Sequence, residues 1–178
     1  MMKEDSTALY IGRFQPFHNG HLLMVKHAAK RHSNVIIGIG SAQEELTAKN
    51  PFSASQRFEM ILRCLRAERI TNCMIIPIDD INRNALWVPH IASKCPEFKV
   101  IYTNNKLTEN LFIKAGYIVK NIFYSRVESR TEIPVENGTR IRNLMFMGMR
   151  WRQYVHSEVF SYINEKGLID NIGRCLNE

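Results

Sequence analysis

Five short apolar runs, each of strand length and each separated from the next by a stretch of helical spacing, constrain this chain more than any other feature. The runs are Ala8–Ile11, Val35–Gly40, Cys73–Ile78, Phe98–Tyr102 and Tyr117–Val119. Between them, Leu22–Ala29, Ser55–Arg69, Leu86–Lys94 and Leu107–Ala115 read as helices. In the second of these Phe58, Ile61, Leu62 and Leu65 share a face. Ser53 or Ser55 is placed to cap it, Pro96 stops the third, and Gly116 ends the fourth. Nearly continuous apolar strands alternating with amphipathic helices predict a parallel sheet covered on both faces. The expected fold is α/β: a Rossmann-like, doubly wound sheet of about five strands with helices on both faces. A helical C-terminal part over about 138–170 follows, with Val159, Phe160, Tyr162 and Ile163 as its packing residues. One domain over 1–178 is expected from the length.

In such sheets ligands bind beyond the carboxyl ends of the strands. The first such end carries Gly12-Arg13-Phe14-Gln15-Pro16-Phe17-His18-Asn19-Gly20-His21. It is a strand, a tight loop and a helix start, with two histidines at the joint. A helix start offers free N–H groups and the positive end of a dipole, a ready phosphate site. Gly12 is read as letting the chain leave the strand sharply, and Gly20 as allowing close approach of a ligand. Arg13 brings a fixed positive charge. His18 and His21, three apart, share a side of the first turn. The alternative, two histidines at a core edge, fits a glycine-flanked joint less well. The phosphate loops GxxxxGK[ST] and GxGxxG are absent.

The chain has 24 basic and 17 acidic residues, a net charge of +7. The basic residues are dispersed, which argues against nucleic acid as the main partner, and a positive site suits nucleotide substrates. No apolar run approaches the ~20 residues of a membrane span, and the polar N-terminus has no signal-peptide core. Cys64, Cys73, Cys95 and Cys175 show no CxxC spacing and read as reduced thiols of a cytoplasmic protein.

His18-Asn19-Gly20-His21 resembles the HxGH motif of the nucleotidylyltransferase superfamily. The longer GRFQPFHNGH resembles the archaeal-type nicotinamide-mononucleotide adenylyltransferases in particular. Two further segments share the likeness. Ser41-Ala42-Gln43, with Lys49 before Asn50-Pro51-Phe52, matches a Gly-Ser-Ala-Gln string and a basic residue, usually arginine, before x-Pro-Phe. Asp80-Ile81-Asn82-Arg83-Asn84-Ala85-Leu86-Trp87 is similar to the family's Asp-x-x-x-Asn-Ala-Leu-Trp. The resemblance implies that Ser41, Asp80, Asn84 and Trp87 bind the nicotinamide half, with Trp87 stacking on a cationic ring. On the residues alone, Trp87 as core and Asn84 as a helix cap remain open. Arg57 also fits the family pattern, and a surface ion pair fits it equally.

Asn137-Gly138-Thr139-Arg140-Ile141-Arg142 resembles the superfamily's second motif, Ser-x-Thr-x-x-Arg, with Asn137 where serine is usual. A competing match, Ser129-Arg130-Thr131-Glu132-Ile133-Pro134, ends in proline where arginine belongs, and Pro134 opposes a helix there. The later match is therefore preferred.

Together these imply that AMP passes from ATP to nicotinamide mononucleotide, giving NAD and pyrophosphate. The implied catalytic residues are His18, His21, Arg13, Lys49 and Arg142. Gly12, Arg13, Phe14, Gln15, His18, Gly20, His21, Asn137, Gly138, Thr139 and Arg142 are the implied ATP and phosphate contacts. Magnesium is expected to arrive with the ATP phosphates rather than in a protein cage, and a homo-oligomer, with a hexamer possible, is implied. A phosphopantetheine-type transferase, a nucleic-acid-binding protein and an inactive nucleotide sensor stand as alternatives.

Overall fold

A computed structural model describes residues 4–121 and 136–169. The rejected match at Ser129–Pro134, Cys175 and all but the last two residues of the long polar stretch Ser125–Asn137 lie outside the described residues.

Five parallel strands form one sheet: β1 (Glu4–Gly12), β2 (His32–Ile39), β3 (Cys73–Pro77), β4 (Val100–Tyr102) and β5 (Ile118–Lys120), in the order β3-β2-β1-β4-β5. The helices between them are α1 (Asn19–Arg31), α2 (Ala54–Ala67), α3 (Asn84–Lys94) and α4 (Lys106–Lys114). Then come α5 (Gly138–Phe146), a 3-10 turn (Arg152–Tyr154) and α6 (Ser157–Glu165). Among the described residues no helix is long and apolar enough to cross a membrane.

The pleat explains how the sheet is covered. Successive side chains of a strand point to opposite faces. Ala8 and Tyr10, Val35, Ile37 and Ile39, and Val100 and Tyr102 share one apolar cluster with α1, α2 and α6. Leu9, Ile36 and Ile101 share a second cluster with Val88 and Ile91 of α3 and Phe112 of α4. Register keeps the faces consistent, because Leu9 pairs with Ile36 on one side and Ile101 on the other. Each such buried aliphatic side chain contributes roughly 1.5–3 kcal/mol. The sheet is doubly wound as predicted.

Element boundaries follow local chemistry. Ser53, not Ser55, caps α2: its hydroxyl accepts from Gln56 N–H at 3.2 Å, while Gln56 Oε1 accepts from Ser53 N–H at 2.9 Å. Gly116, at φ +86°, closes α4, and Tyr117 N–H reaches back to Phe112 O at 3.0 Å. α1 starts at Asn19, three residues before the expected Leu22, so both motif histidines belong to its first turn and cap.

The winding direction reverses between β1 and β4. That switch point, at the carboxyl ends of the strands, is where a crevice must open.

Candidate active site

The crevice is a cavity of about 240 Å³. Its walls come from the ends of three strands (Gly12 and Arg13; Gly40 and Ser41; Ile78, Asp79 and Asp80), from Trp87 on α3, and from Asn105 and Thr108 at the start of α4. Five residues proposed from sequence for two different substrates, Gly12, Arg13, Ser41, Asp80 and Trp87, therefore share one cavity. Asn105 and Thr108 were missed. The signal was available, because Asn105 caps α4 by accepting Thr108 N–H at 3.1 Å directly after a strand at the switch point.

The histidines sit at the head of α1. His18 is its N-cap, in extended conformation, and donates its backbone N–H to His21 Nδ1 at 3.2 Å. Because that Nδ1 accepts, the proton of a neutral His21 ring is on Nε2. The two rings stack, centroids 3.5 Å apart and 25° from parallel. His21 is boxed by Phe14, edge-on at 4.9 Å, and Phe17, stacked at 5.6 Å. Burial in this box lowers His21 well below the usual imidazole value, with a smaller contribution from His18. Burial lowers His18 to about 4. Both rings are therefore neutral at pH 7. His18 Nδ1 is buried without a hydrogen-bond partner among the described residues.

Two of the residues expected from the motif to meet phosphate turn their side chains inward. Phe14 is buried, at φ 52°, and its ring is a wall for His21. Gln15 is also buried, its amide donating to Phe52 O at 2.8 Å and accepting from Phe52 N–H at 3.0 Å. Neither side chain faces outward. Gly12 is not the residue that turns the corner, since Phe14 takes the left-handed conformation. Gly12 is needed because a Cβ there would meet the Phe14 ring at 3.1 Å. Gly20 lies buried in the first turn of α1. Asn19, between His18 and Gly20, donates its amide to Gln153 O at 2.8 Å.

The second-motif segment folds back onto the first. Asn137 caps α5 by accepting Arg140 N–H at 2.9 Å, the job a serine would do there. Arg142, largely buried, donates to Gln15 O at 2.7 Å and to Thr139 Oγ1 at 3.2 Å. Gly138 packs so closely that a Cβ would lie 3.1 Å from Gln15 O. Burial lowers the Arg142 guanidinium, and Arg13 nearby lowers it further. Arg13 itself is exposed on the cavity wall. Lys49 is exposed on the loop after β2 and is not part of that wall.

On the nicotinamide side, Gln43 pins the Asp80 backbone, with its amide donating to Asp80 O at 2.8 Å and accepting from Asp80 N–H at 2.9 Å. One Asp80 carboxylate oxygen accepts from Asn82 N–H at 3.1 Å. Asn84 is the exposed first residue of α3, with Arg83 as N-cap, so the helix-cap alternative for Asn84 does not hold. Trp87 is half-buried, its ring edge-to-face with Phe112 at 5.8 Å. Arg57 is neither a surface ion pair nor on the cavity wall: it is fully buried among main-chain carbonyls.

Chemically, this is a helix start with two neutral imidazoles, on a loop that Arg142 ties through Gln15 O, and a cavity walled by Arg13, Ser41, Asp80 and Trp87 that His18, His21 and Arg142 do not line. It suits two phosphorylated ligands side by side. Comparison with known proteins agrees. Residues 9–157 match the cytidylyltransferase-like family model. The nicotinamide-nucleotide adenylyltransferase of Thermoplasma acidophilum is 42% identical over 172 residues, 97% of this chain and 91% of the relative. That of Thermoplasma volcanium is 43% identical over 171 residues, 96% of this chain and 91% of the relative. Among solved structures, a bifunctional NMN adenylyltransferase/ADP ribose pyrophosphatase from Francisella tularensis superposes with a TM-score of 0.75 at 23% identity. That match covers 96% of this chain and 53% of the other, a likeness of fold. With the HxGH joint, the second-motif helix and the shared cavity in place, and with that identity over nearly the full length of both chains, this chain belongs to the nicotinamide-nucleotide adenylyltransferase family.

Proposed function

We propose that this protein transfers AMP from ATP to nicotinamide mononucleotide, giving NAD and pyrophosphate. The observation that carries the reading is the stacked His18–His21 pair at the head of α1, on the loop that runs from Arg13 on the cavity wall and that Arg142 ties through Gln15 O, with Ser41, Asp80 and Trp87 on the same cavity as Arg13.

A phosphate oxygen of the mononucleotide attacks the α-phosphorus of ATP. The new P–O bond forms as the bond to the α,β-bridging oxygen breaks, and pyrophosphate leaves. The attacking phosphate has a second pKa of about 6, so it is largely ionised at pH 7 and needs no general base. The difficulty is to hold two polyanions together and offset charge in the transition state, a task of positioning and electrostatics. In our reading His21 donates from Nε2 to the reacting phosphoryl group, and His18 and the α1 amides hold its neighbours. Arg13 and Arg142 offset charge, and Lys49 does so from the loop. Thr139 and the α5 amides take a further phosphate oxygen. Asn84 reads the carboxamide and Trp87 stacks on the nicotinamide ring.

Magnesium, in our reading, would come as a companion of ATP. Among the described residues no group of three or more His, Cys, Asp or Glu is placed to hold a metal ion. A hard cation of this kind would find its oxygen ligands largely on the substrate and on water. When bound it offsets phosphate charge.

The test is pyrophosphate release from ATP with a panel of acceptors, nicotinamide mononucleotide and phosphopantetheine among them. Turnover with the mononucleotide alone is expected, and turnover only with phosphopantetheine overturns the reading. His21→Ala is expected to lower kcat by about 100-fold or more while mononucleotide affinity changes little.

A further inference from the structure

Arg57 lies on α2 with no exposed surface. A guanidinium has five N–H donors in a rigid fork. Here each meets a main-chain carbonyl. Nε donates to Ser53 O at 3.2 Å, Nη1 to Arg13 O at 3.0 Å and Gly40 O at 2.8 Å, and Nη2 to Ser41 O at 3.1 Å and Glu44 O at 3.4 Å. None of these acceptors is a carboxylate.

The carbonyls held are not arbitrary. Arg13 and Gly40 directly follow β1 and β2, and both line the cavity. The residue after each is in the left-handed region, Phe14 at φ 52° and Ser41 at φ 47°. A non-glycine residue there costs on the order of 1–3 kcal/mol and persists only where its surroundings enforce it. One side chain thus grips the peptide entering both strained corners. Because a trans peptide sets its N–H opposite its C=O, the same grip turns the amides of Phe14 and Ser41 away from the guanidinium. Burial, with Arg13 adding to it, lowers Arg57 to about 10, so it stays charged at neutral pH.

We propose that Arg57 is a positioning residue for the transfer reaction: its guanidinium fixes the two corners that carry Arg13 and Ser41 into the cavity wall. This rests on the function proposed above. A lysine keeps the charge but has three donors on one nitrogen and cannot span both corners.

The test compares Arg57→Lys and Arg57→Ala with the unaltered protein, with turnover expressed per folded molecule and amide hydrogen exchange followed in the nucleotide-free chain. Gly40 N–H, bonded to Gly12 O at 2.9 Å, and Ala42 N–H, bonded to Ile78 O at 3.1 Å, report on the second corner. In both variants kcat is expected to fall by about 100-fold, the loss that a misplacement of ~1 Å brings, and these amides to exchange about tenfold faster. Low, non-denaturing guanidinium should restore turnover in Arg57→Ala and leave His21→Ala unchanged. Folded variants that turn over within about twofold of the unaltered protein overturn the proposal, as do unchanged amides or an Arg57→Lys chain that does not fold. If the unaltered protein releases no pyrophosphate, the function proposed above fails, while the exchange data still decide whether Arg57 holds the corners.

Discussion

The guanidinium of Arg142 donates to the main-chain carbonyl of Gln15 at 2.7 Å, across 127 residues of sequence. The bond closes the second motif onto the first, so the residue expected to meet phosphate also locks the loop that carries His18 and His21. Arg142→Lys keeps a charge but loses the fork that reaches both Gln15 O and Thr139 Oγ1. We expect kcat to fall by roughly 100-fold, and stability to fall by about 1.5–3 kcal/mol for one lost charged hydrogen bond. Steady-state kinetics and urea unfolding on the same preparation measure the two effects separately.

Gly138→Ala probes the same contact from the other side. The added methyl meets Gln15 O at 3.1 Å, and a backbone oxygen yields less readily than a side-chain tip. The expected cost is about 1–3 kcal/mol, the range for overpacking, together with a drop in kcat as the Gln15 loop is pushed aside. A melting temperature and kcat both equal to those of the unaltered protein would show that the contact is slack.

The histidines set a pH dependence. A depressed histidine pKa means that the unfolded chain binds more protons once pH falls below about 6.5. Stability is therefore full above that value and is lost progressively as pH falls toward 4, where His18 titrates in the fold. His27, also lowered to about 4 by burial and by Arg31, Lys120 and His32, acts in the same direction. His18→Gln should flatten the fall in denaturation midpoint between pH 6.5 and 4 relative to the unaltered protein. Phosphate beside the imidazoles favours their charged forms, so ATP binding should take up protons. Calorimetry in buffers of different ionisation enthalpy measures that uptake, and a heat independent of buffer would contradict it.

Trp87→Ala should raise KM for the mononucleotide by about 3- to 30-fold, the worth of a stacked cation–π contact, and leave KM for ATP nearly unchanged. Trp87→Phe should recover most of the loss, since the ring edge on Phe112 is retained in kind. A rise in KM for ATP instead would place Trp87 on the other nucleotide.

The parts of the molecule legible in sequence are those governed by neighbours in the chain. Val35–Gly40 announces a buried strand because both of its faces are apolar, and Gly116 announces a helix end because it stands where the helical spacing stops. The joint at His18–His21 is legible for the same reason. What escaped was fixed by distant partners. Arg57 reads equally as part of the family pattern or as a surface ion pair until five carbonyls from three segments are brought around it. Gln15 and Phe14 read as part of a ligand loop, yet Phe52 claims one and His21 the other. Strand ends moved as well: β1 begins at Glu4 because β2 supplies a partner there, past a register shift between Glu4 and Thr7. Pro89 falls in the sixth position of α3 and the helix passes through it, in keeping with the reading of Leu86–Lys94 as one helix.

The tie from Asn19 to Gln153 bears on how the protein comes to life at the ribosome. Synthesis runs from the N-terminus, so β1 and α1 emerge long before their far partners. Until the stretch around Arg142 and Gln153 leaves the exit tunnel, the carbonyl of Gln15 lacks the Arg142 guanidinium and the tie from Asn19 to Gln153 cannot form. A nascent chain can thus build its sheet without yet owning a complete nucleotide grip, which is delivered only once α5 and the turn after it have emerged.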